Sequence, residues 1–374
     1  MIQIGNAGCE MDTSFVRASG GFAWWYVDVV TPEGSGLVLI WSYGLPFLPG
    51  YAVDARRGRP VLPSSRPSVN LVLYENGSPS FYLLQEHGEQ DAGWDGAGSV
   101  RIGGSHFRSF VQGDRRVVEV DLGCSVPGTQ RRLTGTIRVE GAARRASPGG
   151  AADGAGAGDV PHEWTPLTGP ATGDVALDFG ARPLVRFVGR AYHDRNGGRV
   201  PLHALGIDHW MWGRFPLADR ELIYYLLWPS DPAQPPRGIG VTIDEDGNTH
   251  IVEGLEVRLV GERRTLAGIP WFRQLRLLLN GRLWLDVRHR ATVDSGPFYL
   301  RFLSEARNAE GESAVGWGEM CYPDRVDRAL HRPFVRMRVH RAHRRSSLWV
   351  PLFSGPRSGR IGRLMRHALR GARS

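Results

Sequence analysis

Turn-forming residues recur so densely along this chain that only short elements fit between them: 49 glycines and 25 prolines are spread over 374 residues. The segments between them are brief and apolar, for example 36–42, 69–74, 117–122, 184–189, 222–228, 250–259 and 283–289. Several alternate apolar and polar residues with period two, as in Arg116-Val-Val-Glu-Val-Asp-Leu122 and Thr134-Gly-Thr-Ile-Arg-Val139. That period places successive side chains on opposite faces of a strand. Asp246-Gly247 between two such runs predicts a hairpin turn. Long helical patterns are almost absent before residue 360. Many short strands with frequent turns predict an all-β sandwich or barrel.

The length suits two domains. The low-complexity stretch 141–158, rich in Ala, Gly and Arg, reads as a disordered surface loop. Pro, Thr and Gly concentrate again near 170–182, and a domain change is expected there. The division read from the sequence is 1–178, 179–335 and a basic tail, 336–374. No apolar run is long enough to span a bilayer as a helix. The polar start, 1–15, does not read as a secretory signal. Cys9, Cys124 and Cys321 lie far apart, which excludes a disulfide framework and a cysteine zinc cluster and fits a reducing cytoplasm.

All 46 basic residues are Arg, so a Schiff-base lysine and a phosphate-binding GK[ST] loop are both excluded. Thirteen of those Arg fall in 328–374, a stretch without Asp or Glu, while the first 327 residues carry a net charge of −5. Within the tail, Ile361, Leu364, Met365, Ala368 and Leu369 fall on one helical face, and Arg360, Arg363, Arg366 and Arg370 on the other. A short basic amphipathic helix suits an anionic membrane surface, reached through 360–370. The alternative is a solvated terminus that keeps the chain soluble. The acidic body and the lack of a nucleic-acid motif argue against a nucleic-acid partner.

Twelve tryptophans cluster with other aromatics. In Gly20-Gly-Phe-Ala-Trp-Trp-Tyr-Val-Asp28, Phe22, Trp24 and Tyr26 share one strand face and Trp25 takes the other. A second group comprises Tyr192-His193-Asp194-Arg195, Asp208-His209-Trp210-Met-Trp212 and Tyr224. Such a set either lines an elongated apolar cavity with a few acids at its polar end, or fills the interior of a β domain. His193-Asp194, Asp208-His209 and His340-x-x-His343 have no recognised zinc spacing, so no metal is expected. A serine nucleophile elbow is absent.

These residues carry a resemblance. Gly21-Phe-Ala-Trp-Trp-Tyr-Val-Asp28, Gly189-Arg-Ala-Tyr-His-Asp-Arg-Asn-Gly-Gly198 and Trp210-Met-Trp-Gly-Arg214 resemble, in order and spacing, motifs of the carotenoid 1,2-hydratases (hydroxyneurosporene synthases) and their lipocalin-like relatives. The similarity extends over about residues 20–325. It implies two tandem lipocalin-like β domains followed by the basic helix. It also implies cofactor-free addition of water to the terminal double bond of an acyclic carotenoid such as neurosporene or lycopene. The cysteines and the tail together lead us to expect a cytoplasmic protein, peripheral on the inner membrane face if the tail binds there. Relatives include Diels–Alder-type cyclases. Arg195 stands where many relatives have His, Gly197 where they have Trp, and Met211 where hydratases tend to carry an acid.

Hydrating an isolated alkene begins with protonation at carbon, which needs a carboxyl kept neutral by burial. Asp194 is the first candidate acid and Asp208 the second. In its Asp-x-Asn-Gly context, Asp194 could equally bond turn amides. His193 or His209 would hold or deprotonate the water. Tyr192, Trp210, Trp212, Tyr224, Trp24 and Tyr26 would wall the cation. Two rivals remain open at this level. A cofactor-free cyclase or isomerase would use Arg195 to polarise a carbonyl, and a non-catalytic carrier would only bind the apolar polyene or isoprenoid.

Overall fold

The computed structural model describes residues 2–48, 50–145, 162–180, 184–342 and 346–371. Most of the expected loop 141–158 lies outside the described residues, and 141–143 end the strand Arg132–Ala143. The chain is built from two large sheets, almost wholly antiparallel, each curled into a half-barrel. Among the described residues no helix is long and apolar enough to cross a membrane.

Sheet membership changes between Gly198 and Ile207. The strand Val185–Gly198 pairs with Thr168–Asp178 and with Phe22–Val30, so it belongs to the first sheet. That lies beyond the 178/179 division expected from composition. Pro/Thr/Gly content marks irregular chain but carries no information about which strand the next one pairs with. The hairpin around Gly247 forms as expected, joining Arg237–Asp244 to Thr249–Glu253; Gly247 has φ +79°, which disfavours other residues.

Alternation along the strands builds three apolar layers. In Phe22–Val30, Trp25, Val27 and Val29 enter a core inside the first half-barrel with Trp41 and Phe107. Phe22, Trp24 and Tyr26 face the opposite way, into a layer shared with Trp164, Tyr192, Trp210, Trp212, Tyr225 and Trp317. That layer lies between the sheets. A third core, with Phe215, Tyr224 and Phe302, fills the second half-barrel. The central strands are therefore buried on both faces, which is why they read as nearly continuous apolar runs.

A buried ion triad pins the sheets together. The Arg214 guanidinium binds Asp28 of the first sheet and, at 3.3 Å, Glu221 of its own, all three side chains being fully buried. It also donates to the Arg190 carbonyl at 3.0 Å. Burial pushes both carboxyl groups up, Glu221 to about 7, while the arginine opposes the shift.

The tail is part of this architecture. Val339–Arg341 pairs in parallel with the strand Ser78–Glu86, and Gly355–Pro356 pairs with the same strand. The helix Arg360–Gly371 docks through buried Arg363, which donates to the Ser358 and Pro351 carbonyls at 2.6 and 3.2 Å. Ile361, Met365 and Leu369 are exposed.

Candidate active site

The strand Val185–Gly198 turns Tyr192, Asp194 and Asn196 toward the layer between the sheets. Asp194 sits opposite Tyr26 in the register of one neighbour and opposite Pro166 in that of the other. Its Oδ2 accepts hydrogen bonds from Trp164 Nε1 at 2.9 Å and from the Tyr192 hydroxyl at 3.1 Å. Its Oδ1 accepts one from Asn196 Nδ2 at 3.1 Å, and the Asn196 carbonyl oxygen pairs with His162 Nε2 at 3.2 Å. Burial pushes the Asp194 carboxyl up to about 8; the Trp164 and Tyr192 hydrogen bonds oppose this, and the charges of Glu319 and Asp28 add to it. The carboxyl is therefore protonated at neutral pH. His162 is held down to about 4 by burial and is neutral.

Asp194 borders a cavity of about 120 Å³. The first sheet supplies Trp24, Tyr26, Tyr82 and Trp164 to its wall, and the second supplies Trp210, Trp212 and Tyr225, with Phe298 from the turn before Tyr299. Tyr26 meets Trp212 edge to face, with ring centres 5.4 Å apart, and Trp164 meets Tyr225 likewise at 5.3 Å. Val335 and, from the tail, Arg338 also line it. The second sheet also presents a polar group, Tyr299, Arg301 and Glu319. Tyr299 donates to Glu319 Oε2 at 2.6 Å, and Arg301 lies 3.6 Å from the same oxygen. A second ion pair, Arg338 with Asp294 at 3.1 Å, also lines the cavity. A neutral acid, two ion pairs and aromatic walls can protonate an apolar alkene and face the cation that results.

The model of the carotenoid hydratase CrtC family matches residues 40–348, most of the chain. The chain belongs to the carotenoid hydratase CrtC family. A hydroxyneurosporene dehydrogenase from Chlorobaculum tepidum is 28% identical over 89% of this chain and 91% of its own length. An acyclic carotenoid 1,2-hydratase from Rhodobacter capsulatus is 27% identical over 80% and 95% respectively. Among solved structures, an AttH from Nitrosomonas europaea superposes with a TM-score of 0.58 at 14% identity, covering 84% of this chain and 98% of that one. CghA with Sch210972 superposes with a TM-score of 0.51 at 13% identity, covering 81% and 87%. These two likenesses are of fold, and they agree with the lipocalin-like halves expected from the family resemblance.

In this member of the CrtC family, the residues expected from sequence separate into two groups. Asp194, Trp24, Tyr26, Trp210 and Trp212 line the cavity, and Tyr192 stands directly behind Asp194. The others lie elsewhere. His193 points from the opposite face of its strand, between the Tyr26 carbonyl at 2.9 Å and Ser109 Oγ at 3.0 Å, and burial lowers it to about 3. Arg195 shares that face and holds the carbonyls of Asn6 and Cys9. Gly197, also there, abuts Phe15: a Cβ would come within 2.1 Å of the ring, so Phe15 fills the space a side chain would take. Asp208 is exposed and bonds its neighbour His209 at 2.7 Å. His209 is stacked between Trp228 and Tyr322, with ring centres 4.4 and 4.6 Å away. Tyr224 belongs to the second half-barrel core, and Tyr225, opposite Trp212, takes its place at the cavity. On a strand buried on both faces, apolar periodicity cannot choose between Tyr224 and Tyr225.

His162, Trp164, Asn196, Tyr299, Arg301 and Glu319 were not among the expected site residues. The period-two pair His162-x-Trp164 was a usable signal, masked by the low-complexity stretch just before it. Glu319 and Arg301 had none, since only the pairing of their strands sets them opposite each other.

Proposed function

We propose that this protein adds water across the terminal double bond of an acyclic carotenoid or related isoprenoid, without a cofactor. The observation that carries the reading is a neutral, buried Asp194 carboxyl on the wall of an aromatic cavity. With Oδ2 occupied by two donors, Oδ1 carries the proton to be given to the alkene. Protonation leaves a tertiary cation, which the faces of Trp24, Tyr26 and Trp212 stabilise. Trp164 and Tyr192 then hold the carboxylate that remains. The narrow cavity suits the end of a chain rather than a whole polyene. The carbonyl-polarising role that a cyclase would ask of Arg195 has no support, because Arg195 is spent on backbone carbonyls away from the cavity.

The test is incubation with lycopene in liposomes in ¹⁸O-labelled water. One labelled oxygen in the product, abolished by Asp194→Asn, is the expected result. Unchanged lycopene bound to folded protein would instead favour a carrier.

The tail supplies a route for such a substrate. Ile361, Met365 and Leu369, together with Leu330, Phe334 and Trp349, are exposed apolar side chains in a segment rich in Arg and free of acids. Val335 and Arg338 of the same segment reach the cavity. In this reading the tail rests on an anionic bilayer and places the cavity within reach of an apolar chain dissolved there.

A further inference from the structure

Hydration needs a base as well as an acid, and the two histidines expected to serve lie away from the cavity. His193 faces the first core and His209 is stacked at the far side of its strand. Besides Asp194, the carboxyl groups lining the cavity are Asp294 and Glu319. Asp294 is engaged by Arg338 at 3.1 Å and its side chain is 8% exposed. Glu319 is the more open, with 18% of its side chain exposed. Its Oε2 takes the Tyr299 hydroxyl, while Oε1 has only a long contact, 3.4 Å, from Trp210 Nε1. Arg301 holds the group in an ion pair rather than a close hydrogen bond. Oε1 therefore keeps a lone pair available to a water molecule.

We propose that Glu319 is the catalytic base, receiving on Oε1 the proton of the water that captures the cation. The assignment rests on the hydration reading above. Asp194 lies on the first sheet and Glu319 on the second, and the Glu319 charge is among those that raise Asp194. Asp194 and Glu319 thus face one cavity from opposite sheets, one placed to give a proton and the other, with Oε1 open beside Arg301, to accept one, the division of roles that acid–base chemistry at one alkene requires.

The step balances. The alkene π electrons form a C–H bond with the Asp194 proton, leaving a tertiary cation and a carboxylate. A water lone pair forms the C–O bond, one O–H bond of that water breaks, and its proton passes to Glu319. Transfer of that proton through solvent to Asp194 restores both groups, and the net change is one water added.

The experiment uses the full chain with lycopene in anionic liposomes, with and without sodium azide, and reads products by mass. Azide attacks a cation without needing to be deprotonated, so it replaces activated water. Glu319→Ala is expected to lose hydration by about 10²-fold or more, the usual worth of a general base, and to form the azide adduct. Glu319→Gln keeps volume and an acceptor for Tyr299, and is expected to lose hydration equally while remaining folded, its melting temperature lowered by the loss of the charge beside buried Arg301. Asp194→Asn is expected to form neither product. Hydration by Glu319→Ala within a few-fold of wild type overturns the assignment. So does loss of hydration with no azide adduct, which would make Glu319 a structural partner of Arg301. A wild-type protein that forms neither product from lycopene fails the hydration reading itself, and this inference with it.

Discussion

At the residue scale, the proposed chemistry turns on one carboxyl taken out of water. An Asp moved from the ordinary 3.8 to about 8 binds a proton throughout the neutral range. In the proposed mechanism the active form of Asp194 is the protonated one, so the rate is expected to fall roughly tenfold per unit above about pH 8. The hydrogen bond from Trp164 favours the ionised form. Trp164→Phe should therefore raise the Asp194 pKa and move that alkaline limb to higher pH, read from the pH dependence of kcat/KM. Stability carries the opposite mark. Because the folded value lies above the unfolded one, folding takes up a proton, and stability declines as pH rises from about 4 to about 8. Asp194→Asn removes that decline, so at pH 9 the inactive variant is expected to melt above wild type.

At the scale of elements, the central strands serve two cores at once. Phe22–Val30 gives Trp25 to one layer and Trp24 to another, and this alternation was legible from the period of two. What the alternation could not say is which layer would hold a cavity. Arg214 binds the layers together from the strand Ile207–Pro216, reaching Asp28 in the other sheet. Removing one member of such a triad strands the rest as buried charges. Arg214→Met is expected to cost about 3–5 kcal/mol, measured as a lowered urea midpoint with unchanged slope. Replacing all three members by apolar residues should cost far less, since the charges would then go together.

At the scale of the whole molecule, the tail both closes and equips the fold. Residues 339–341 and 355–356 cover the strand Ser78–Glu86, an edge that would otherwise offer open hydrogen-bonding groups. Deleting 336–374 is expected to produce aggregation, seen by light scattering, along with loss of the cavity rim at Arg338. Deleting only 360–374 leaves both pairings in place. That shorter protein is expected to stay folded but to sediment less with phosphatidylglycerol vesicles than the full chain, with the difference shrinking at high salt.

Residue order alone determined a great deal: an all-β architecture from turn density, the two faces of the Trp24–Trp25 strand from its period, the family from three spaced motifs, and Asp194 as a candidate from its setting among aromatics. These are local properties, carried by a few adjacent residues. The tertiary structure decided the rest. It placed the cavity between the sheets, exchanged Tyr224 for Tyr225, and brought Trp164 and Glu319 beside Asp194. Each of these depends on which strands pair and in what register. A strand buried on both faces, such as the one carrying Tyr224 and Tyr225, has apolar residues on both, and its partners lie far away in the sequence, so its residue order does not encode that choice.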